Sequence, residues 1–196
     1  MNNMPIYPGE SYKRRPPDQG GFSVQAFEWL EAVGFALAIV VVVFTFFFRI
    51  VSVNGQSMMP TLHDKERVII SSLFYTPHDG DIIIIAGLAQ DDPHKLRDPI
   101  VKRVVATAGE TIRFTEDGRV EIDGVVQYES FDLIINHGNA YEYPLTVPEG
   151  KVFVMGDNRN NSTDSRSISV GLVNVTHILG KVELRIYPVN KIGIVH

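Results

Sequence analysis

The 196-residue chain carries a formal net charge of −5, 44% hydrophobic residues and no cysteine. That length holds one domain with its own core plus an accessory segment. Without cysteine there are no disulfides, no thiolate catalysis and no cysteine-ligated metal, and mild acidity without a basic stripe argues against nucleic acid as a partner.

Residues 1–20 are polar and contain Pro5, Pro8, Pro16 and Pro17. Such a stretch buries too little apolar surface to offset its chain entropy, and a disordered tail is expected over residues 1–26. The dominant hydrophobic feature follows: LEAVGFALAIVVVVFTFFF, Leu30 to Phe48. From Ala32 to Phe48 it has no charge, and Thr45 is its only polar residue. At about 1.5 Å per residue, a helix of about 17 residues reaches roughly 25 Å, close to the hydrocarbon thickness of a bilayer. Phe27 and Trp29 stand at its start, where aromatic belts form. A cleaved signal peptide is the competing reading, but the apolar run is long for one. It is followed by the bulky FFFRIVSVNG rather than by a small-x-small site. The expectation is a retained single-pass anchor over residues 27–48. Lys13, Arg14 and Arg15 precede it, while Arg49, Lys65 and Arg67 follow. The positive-inside rule therefore favours, by a modest margin, a cytoplasmic N-terminus and an extracytoplasmic domain over residues 49–196.

Beyond Arg49 the pattern turns to short β-type runs separated by turn signals. Strands are expected at Arg67–Ser71, Asp81–Ile85, Pro99–Val105, Thr111–Phe114, Arg119–Ile122, Lys151–Met155 and Gly180–Tyr187. DIIIIAGLA is too short to span a membrane and reads as a buried strand. EDGRVEIDGVVQ holds two Asp-Gly pairs, each a hairpin signal. AQDDPHKLRDP is a polar loop. The fold class is mostly β, one compact domain behind one helix.

Three stretches could carry chemistry. The first is VNGQSMMPTL, where Ser57 lies nine residues beyond Phe48. Nine extended residues reach only about 30 Å, so Ser57 is held near the membrane surface. Gly55 permits close backbone approach, Pro60 fixes the exit of the turn, and Met58 and Met59 can pack against lipid or an apolar ligand. On this pattern alone Ser57 is a turn serine as readily as a nucleophile. A nucleophilic serine also needs a base. The six histidines, His63, His78, His94, His137, His177 and His196, show no ligand or triad spacing.

The second stretch, PIVKRVVATAG, offers a lysine instead. Alternation puts Ile100, Lys102 and Val104 on one strand face. A free lysine amine is neutral in only about 1 in 2,500 molecules at pH 7, and burial favours the neutral form. Lys102 is thus a candidate general base, with a surface lysine at a strand end as the plain alternative. The third is VFVMGDNRNNSTDSR, a strand running into a polar loop. Pairings of Asp157 or Asp164 with Arg159 or Arg166 would rigidify it.

Together and in this order, the three stretches resemble type I signal peptidase, the membrane-bound Ser/Lys peptidase. NGQSMMPTL resembles its nucleophile box, VKRVVATAGETI its lysine box and MGDNRNNSTDSR its GDNR box; ILGKVELRIYP resembles its closing strand. The similarity covers about residues 30–190. It implies a β-rich catalytic core with a second, smaller β region between the lysine and GDNR boxes. It also implies Ser57 as nucleophile and Lys102 as general base, with Ser162 hydrogen-bonded to Lys102 to orient it. Gly156, Asp157, Asn158, Arg159, Asp164 and Arg166 would form the scaffold, and Gly55, Met58 and Met59 would lie near the substrate. The Ser57 N–H would hold the oxyanion. Some members add a serine hydroxyl two residues before the nucleophile; Gly55 stands there, as in Gram-positive forms. VVATAGET departs from the commoner VIGLPGD, with Ala108 in place of proline. The resemblance further implies that no metal or cofactor is needed. The substrates would be signal peptides of exported preproteins, cut at a plasma membrane, with the lipid bilayer and the export channel as partners. A specialised Ser/Lys peptidase with one substrate and a catalytically silent peptide-binding β-module are the two rival readings.

Overall fold

The computed structural model describes residues 21–72, 75–88 and 96–196. The expected tail over residues 1–20 and most of the loop AQDDPHKLRDP lie outside them. The chain divides into two units, residues 1–43 and 44–196.

Helix α1 spans Gly21–Phe47. It begins six residues before the expected anchor, so residues 21–26 are helical rather than tail. Residues 21–26 contain no proline, so nothing in them interrupts the helix. Residues 25–43 have a mean hydropathy of 2.1, long and apolar enough to cross a membrane. Its described side chains from Gln25 to Val42 are exposed and apolar nearly all round, the character of a helix solvated by lipid.

The helix gives way where the sequence changes period. Phe48-Arg49-Ile50-Val51-Ser52 forms β1 (Phe48–Ser52), antiparallel to β2 (Arg67–Ser71). The reading of one unbroken apolar run through Phe48 hides this strand. The other strands are β3 (Ile82–Ile85), β4 (Ile100–Ala106), β5 (Thr111–Phe114), β6 (Val120–Ile122), β7 (Val125–Val126), β8 (Leu145–Thr146), β9 (Lys151–Met155), β10 (Val173–Asn174), β11 (Ile178–Tyr187) and β12 (Gly193–Ile194). Among the described residues they make two sheets. The larger runs β1-β2-β11-β3-β4-β9-β10, with β12 on β11; the smaller runs β7-β6-β5-β8.

All four side chains of β3 are buried, because both faces of this central strand are covered. Ile82 and Ile84 pack with Val53, Leu62 and Val68; Ile83 and Ile85 pack with Val104, Val152 and Val154. The smaller sheet falls between the lysine and GDNR stretches. Its Ile112, Phe114 and Val120 share a core with Val105, Phe153 and Met155. Both Asp-Gly pairs sit in hairpins. Asp123 and Gly124 both adopt positive φ, 48° and 81°, in the two-residue turn between β6 and β7.

Candidate active site

Ser57 sits in the loop between β1 and β2. Gly55 has φ +90°, a conformation that disfavours a side chain, and its N–H donates to Asp64 Oδ1 at 2.8 Å. A Cβ at Gly55 would meet open space, so the backbone angle and not close approach calls for glycine. Met58 N–H lies inside the same loop, but its side chain is buried in the domain core beside Leu62, Val53 and Val68. The expectation that Met58 packs against lipid or ligand is therefore corrected: it anchors the loop from below. Met59 is half-buried.

Lys102 lies on β4, paired with Ile83 of β3, and is only 3% exposed. Its Nζ donates to Ser57 Oγ at 2.7 Å and to the Val101 carbonyl at 2.9 Å. Burial pulls the amine pKa down to about 8, against Asp164 and Asp157, which favour the charged form; Arg166 reinforces the burial. At that pKa roughly a tenth of the amine is neutral at pH 7, and the deficit falls from about 4.6 to about 1.4 kcal/mol. When the amine is neutral, one N–H remains on Val101 and the lone pair faces Ser57, so the serine O–H becomes the donor.

The GDNR stretch joins the two elements. Asp157 accepts both Nε and Nη2 of Arg103, at 2.8 and 2.7 Å, and also the Thr61 hydroxyl at 2.5 Å. One carboxylate thus holds the residue after Lys102 and the residue four after Ser57. Asn158 next to it donates its backbone N–H to the Ser57 carbonyl at 3.0 Å and its side-chain amide to the Gln56 carbonyl at 3.1 Å. Gly156 admits no side chain: a Cβ there would lie 2.3 Å from Ser162 Oγ and 2.4 Å from the Ser57 carbonyl oxygen.

The pairings inside the loop differ from the expectation at two of four residues. Asp164 and Arg166 do pair, through Nε and Nη2 at 2.8 Å each. Arg159 instead reaches Glu129 with both terminal nitrogens, and Asp157 takes Arg103. Arg159 and Asp157 point out of the loop, toward elements distant in sequence. Ser162 does not bond Lys102. Its Oγ is buried and makes no hydrogen bond among the described residues; it lies close to Gly156, and Lys102 places its second N–H on the Val101 carbonyl.

Arg103, Thr61 and Glu129 escaped the sequence reading. Arg103 carried a usable signal: a guanidinium on the buried face of an apolar strand requires a carboxylate partner. Thr61 and Glu129 carried none, since nothing local marks a residue whose partner is 96 or 30 positions away.

A groove of about 540 Å³ runs past Ser57 and Lys102, walled mainly by Val51, Ile84, Leu96, Ile100 and Val101. Asn54, Arg97 and Asp98 add polar groups to it. Among the described strands β1 pairs only with β2, so the groove follows a sheet edge.

The family profile described as signal peptidase, peptidase S26 matches residues 26–187. Signal peptidase I P of Bacillus subtilis subsp. natto is 34% identical over 177 residues, covering 84% of this chain and 91% of that protein. Signal peptidase I of Leptolyngbya laminosa is 34% identical over 173 residues, covering 85% and 82%. Among solved structures, a signal peptidase I from Enterococcus faecalis V583 shares 29% identity at a TM-score of 0.43, over 55% of this chain and 97% of that one. With a profile matched along most of its length and relatives at this identity over nearly their full length, the chain belongs to the signal peptidase, peptidase S26 family.

Proposed function

We propose that this chain is a membrane-anchored serine endopeptidase that removes N-terminal signal peptides from exported preproteins. One observation carries the residue assignment: a lysine amine almost free of solvent stands 2.7 Å from a serine hydroxyl in an apolar groove. Neutral Lys102 takes the Ser57 proton as Ser57 Oγ attacks the carbonyl before the cut. The resulting ammonium protonates the departing amine, and the C–N bond breaks. Lys102, neutral again, then takes a proton from the water that attacks the acyl ester, and returns it to Ser57 Oγ. The Ser57 N–H, which donates to no group among the described residues, supports an oxyanion-binding role. The signal-peptide strand adds along β1 with small side chains toward Val51, Ile84 and Val101.

The anchor is α1. Lys13, Arg14 and Arg15 ahead of it support a cytoplasmic N-terminus and an extracytoplasmic catalytic domain at the plasma membrane. The bilayer is a partner through α1, and the export channel is the source of the substrate.

The test is incubation of the detergent-solubilised chain with several preproteins, with mass analysis of both products. Cleavage after small residues at the signal-peptide junction, lost in Ser57→Ala with unchanged thermal unfolding, is expected. No cleavage by the wild type, or cleavage by Ser57→Ala at the wild-type rate, would overturn the proposal.

A further inference from the structure

Residues 129–140 form no helix or strand, yet they bond to the smaller sheet on one side and to the loop after Met155 on the other. On the sheet side Ile134 is buried in the core with Phe114 and Val120, and its N–H donates to the Gly118 carbonyl at 2.8 Å. On the loop side Glu129 holds Arg159. The Asn160 side chain donates to the Leu133 carbonyl at 2.9 Å and accepts from the Ile135 N–H at 3.0 Å. The Asn136 carbonyl accepts from Arg166, and a Cβ at Gly138 would lie 2.1 Å from the Arg166 carbonyl oxygen. Phe131 stands within this doubly fastened segment, between Glu129 and Leu133.

Phe131 touches two buried cations. Arg103 Cζ lies over its ring at 5.4 Å from the centroid, and Arg159 Cζ at 4.7 Å. All three nitrogens of the Arg103 guanidinium are already taken, Nε and Nη2 by Asp157 and Nη1 by the Gly80 carbonyl. Its flat face remains, and that face is held by an aromatic π surface rather than by a further acceptor. Arg159 likewise sets both terminal nitrogens on Glu129 and lies over the same ring. Each cation is the chain neighbour of a group that matters to the reaction. Arg103 follows Lys102 on β4. Arg159 follows Asn158, whose backbone N–H donates to the Ser57 carbonyl. One ring therefore touches the residue beside the base and the residue beside the support of the nucleophile. The ring is not part of the apolar groove.

We propose that Phe131 is a positioning residue for peptide cleavage: its ring face holds Arg103 and Arg159, and so ties Lys102 and Ser57 to the smaller sheet. The proposal rests on the peptidase reading. It makes the smaller sheet, through residues 129–140, part of the machinery that sets the geometry between the two reacting side chains.

The experiment uses the full chain in detergent with a preprotein, and measures kcat and KM separately for three changes at position 131. Phe131→Tyr keeps the π face, and its kcat is expected to stay within about twofold of wild type. Phe131→Leu keeps apolar bulk and loses the face. Pentafluorophenylalanine placed at the same position keeps the ring's shape, while its fluorines reverse the charge distribution, so the face repels a guanidinium. The leucine and fluorinated forms are each expected to lose about tenfold in kcat with KM within about twofold, the ring lying outside the groove. If the leucine variant does not fold, the fluorinated form decides alone. Wild-type kcat in the fluorinated form overturns the proposal, because shape alone is then sufficient. So does wild-type kcat in a folded leucine variant, a tyrosine variant as slow as the fluorinated form, or a raised KM at unchanged kcat. Absence of cleavage by the wild type as well overturns the peptidase reading itself.

Discussion

Lys102 Nζ and Ser57 Oγ are 2.7 Å apart, and the amine that makes this contact is almost fully removed from water. Burial and hydrogen bonding make opposite demands on it. Contact with the serine oxygen suits the ammonium, whereas proton abstraction needs the amine. Burial resolves the conflict by drawing the pKa to about 8. We expect kcat/KM to rise with pH through about 8, far below the ordinary lysine value of about 10.4. Lys102→Arg keeps the charge, but a guanidinium cannot release its proton in this range, and its activity is expected to fall below roughly a thousandth of wild type. A pH–rate profile with no inflection between about 7 and 9, or robust turnover by Lys102→Arg, would remove Lys102 as the base.

The same burial has a thermodynamic consequence that requires no substrate. Below about pH 8 both folded and unfolded chains carry a protonated Lys102, and the folded state bears the full cost of desolvating it. Between about 8 and 10.5 the unfolded state binds more protons, so stability rises with pH through that window, and above it the cost is gone. The shift corresponds to about 3 kcal/mol. Lys102→Met, similar in volume, is therefore expected to be more stable than wild type at pH 7, with the advantage lost by about pH 10.5. Urea unfolding of both proteins in the same detergent at pH 7 and pH 10.5 checks it. A Met variant that is less stable at pH 7, or a difference independent of pH, would refute the account.

How much of this was legible in the sequence depends on how far apart the partners lie. The strand bearing Lys102, the buried run Ile82–Ile85 and the hairpins at Asp117-Gly118 and Asp123-Gly124 are local patterns, and alternation or turn chemistry declares them. β1 was not legible, because Phe48 continues the apolar run of α1 and only pairing with Arg67–Ser71 makes it a strand. The loop after Met155 announced a rigid polar cluster, but not its wiring. Asp164 finds Arg166 two residues away, as local reasoning suggests, whereas Asp157 finds Arg103 across 54 positions and Arg159 finds Glu129 across 30. Met58 was misplaced for a related reason: an apolar residue beside a candidate nucleophile reads as ligand-facing, yet the turn directs it into the core.

Asp157 joins the two halves of the site, and its removal should be felt in both stability and rate. Arg103 and Asp157 are both buried, so Asp157→Asn leaves a guanidinium without its counter-charge. Breaking one side of such a pair costs about 3–5 kcal/mol, more than replacing both sides. The expected order of thermal stability is wild type, then the double variant Arg103→Met with Asp157→Asn, then Asp157→Asn alone. Both variants should lose activity, because Thr61 and the Lys102 strand are no longer tied to one carboxylate. If the double variant is no more stable than Asp157→Asn, the uncompensated charge is not what destabilises it.

Asn158 offers a separable test, because it acts on orientation and sits half-exposed. Its side-chain amide donates to the Gln56 carbonyl and its backbone N–H to the Ser57 carbonyl. The two bonds fix the peptide planes on either side of the Ser57 Cα, the first of which contains the Ser57 nitrogen. That nitrogen is the proposed oxyanion donor, so a small rotation of the Gln56–Ser57 peptide would turn its N–H away from the developing charge. Asn158→Ala removes only the bond to Gln56. A single hydrogen bond to a carbonyl contributes about 0.5–1.5 kcal/mol, so stability should change little. The rate should change more: a misplaced oxyanion donor costs kcat up to about a hundredfold, while substrate held mainly by the apolar groove keeps its KM. Asn158→Asp should be worse than Ala, because a carboxylate would face the Gln56 carbonyl oxygen that the amide now satisfies. Asn158→Gln, which retains the amide on a longer arm, should recover part of the rate. Steady-state kinetics of the three variants, with urea midpoints alongside, separate the possibilities. Equal losses in kcat and stability across all three would mean that Asn158 only holds the loop together, and a raised KM at unchanged kcat would move its role to substrate binding.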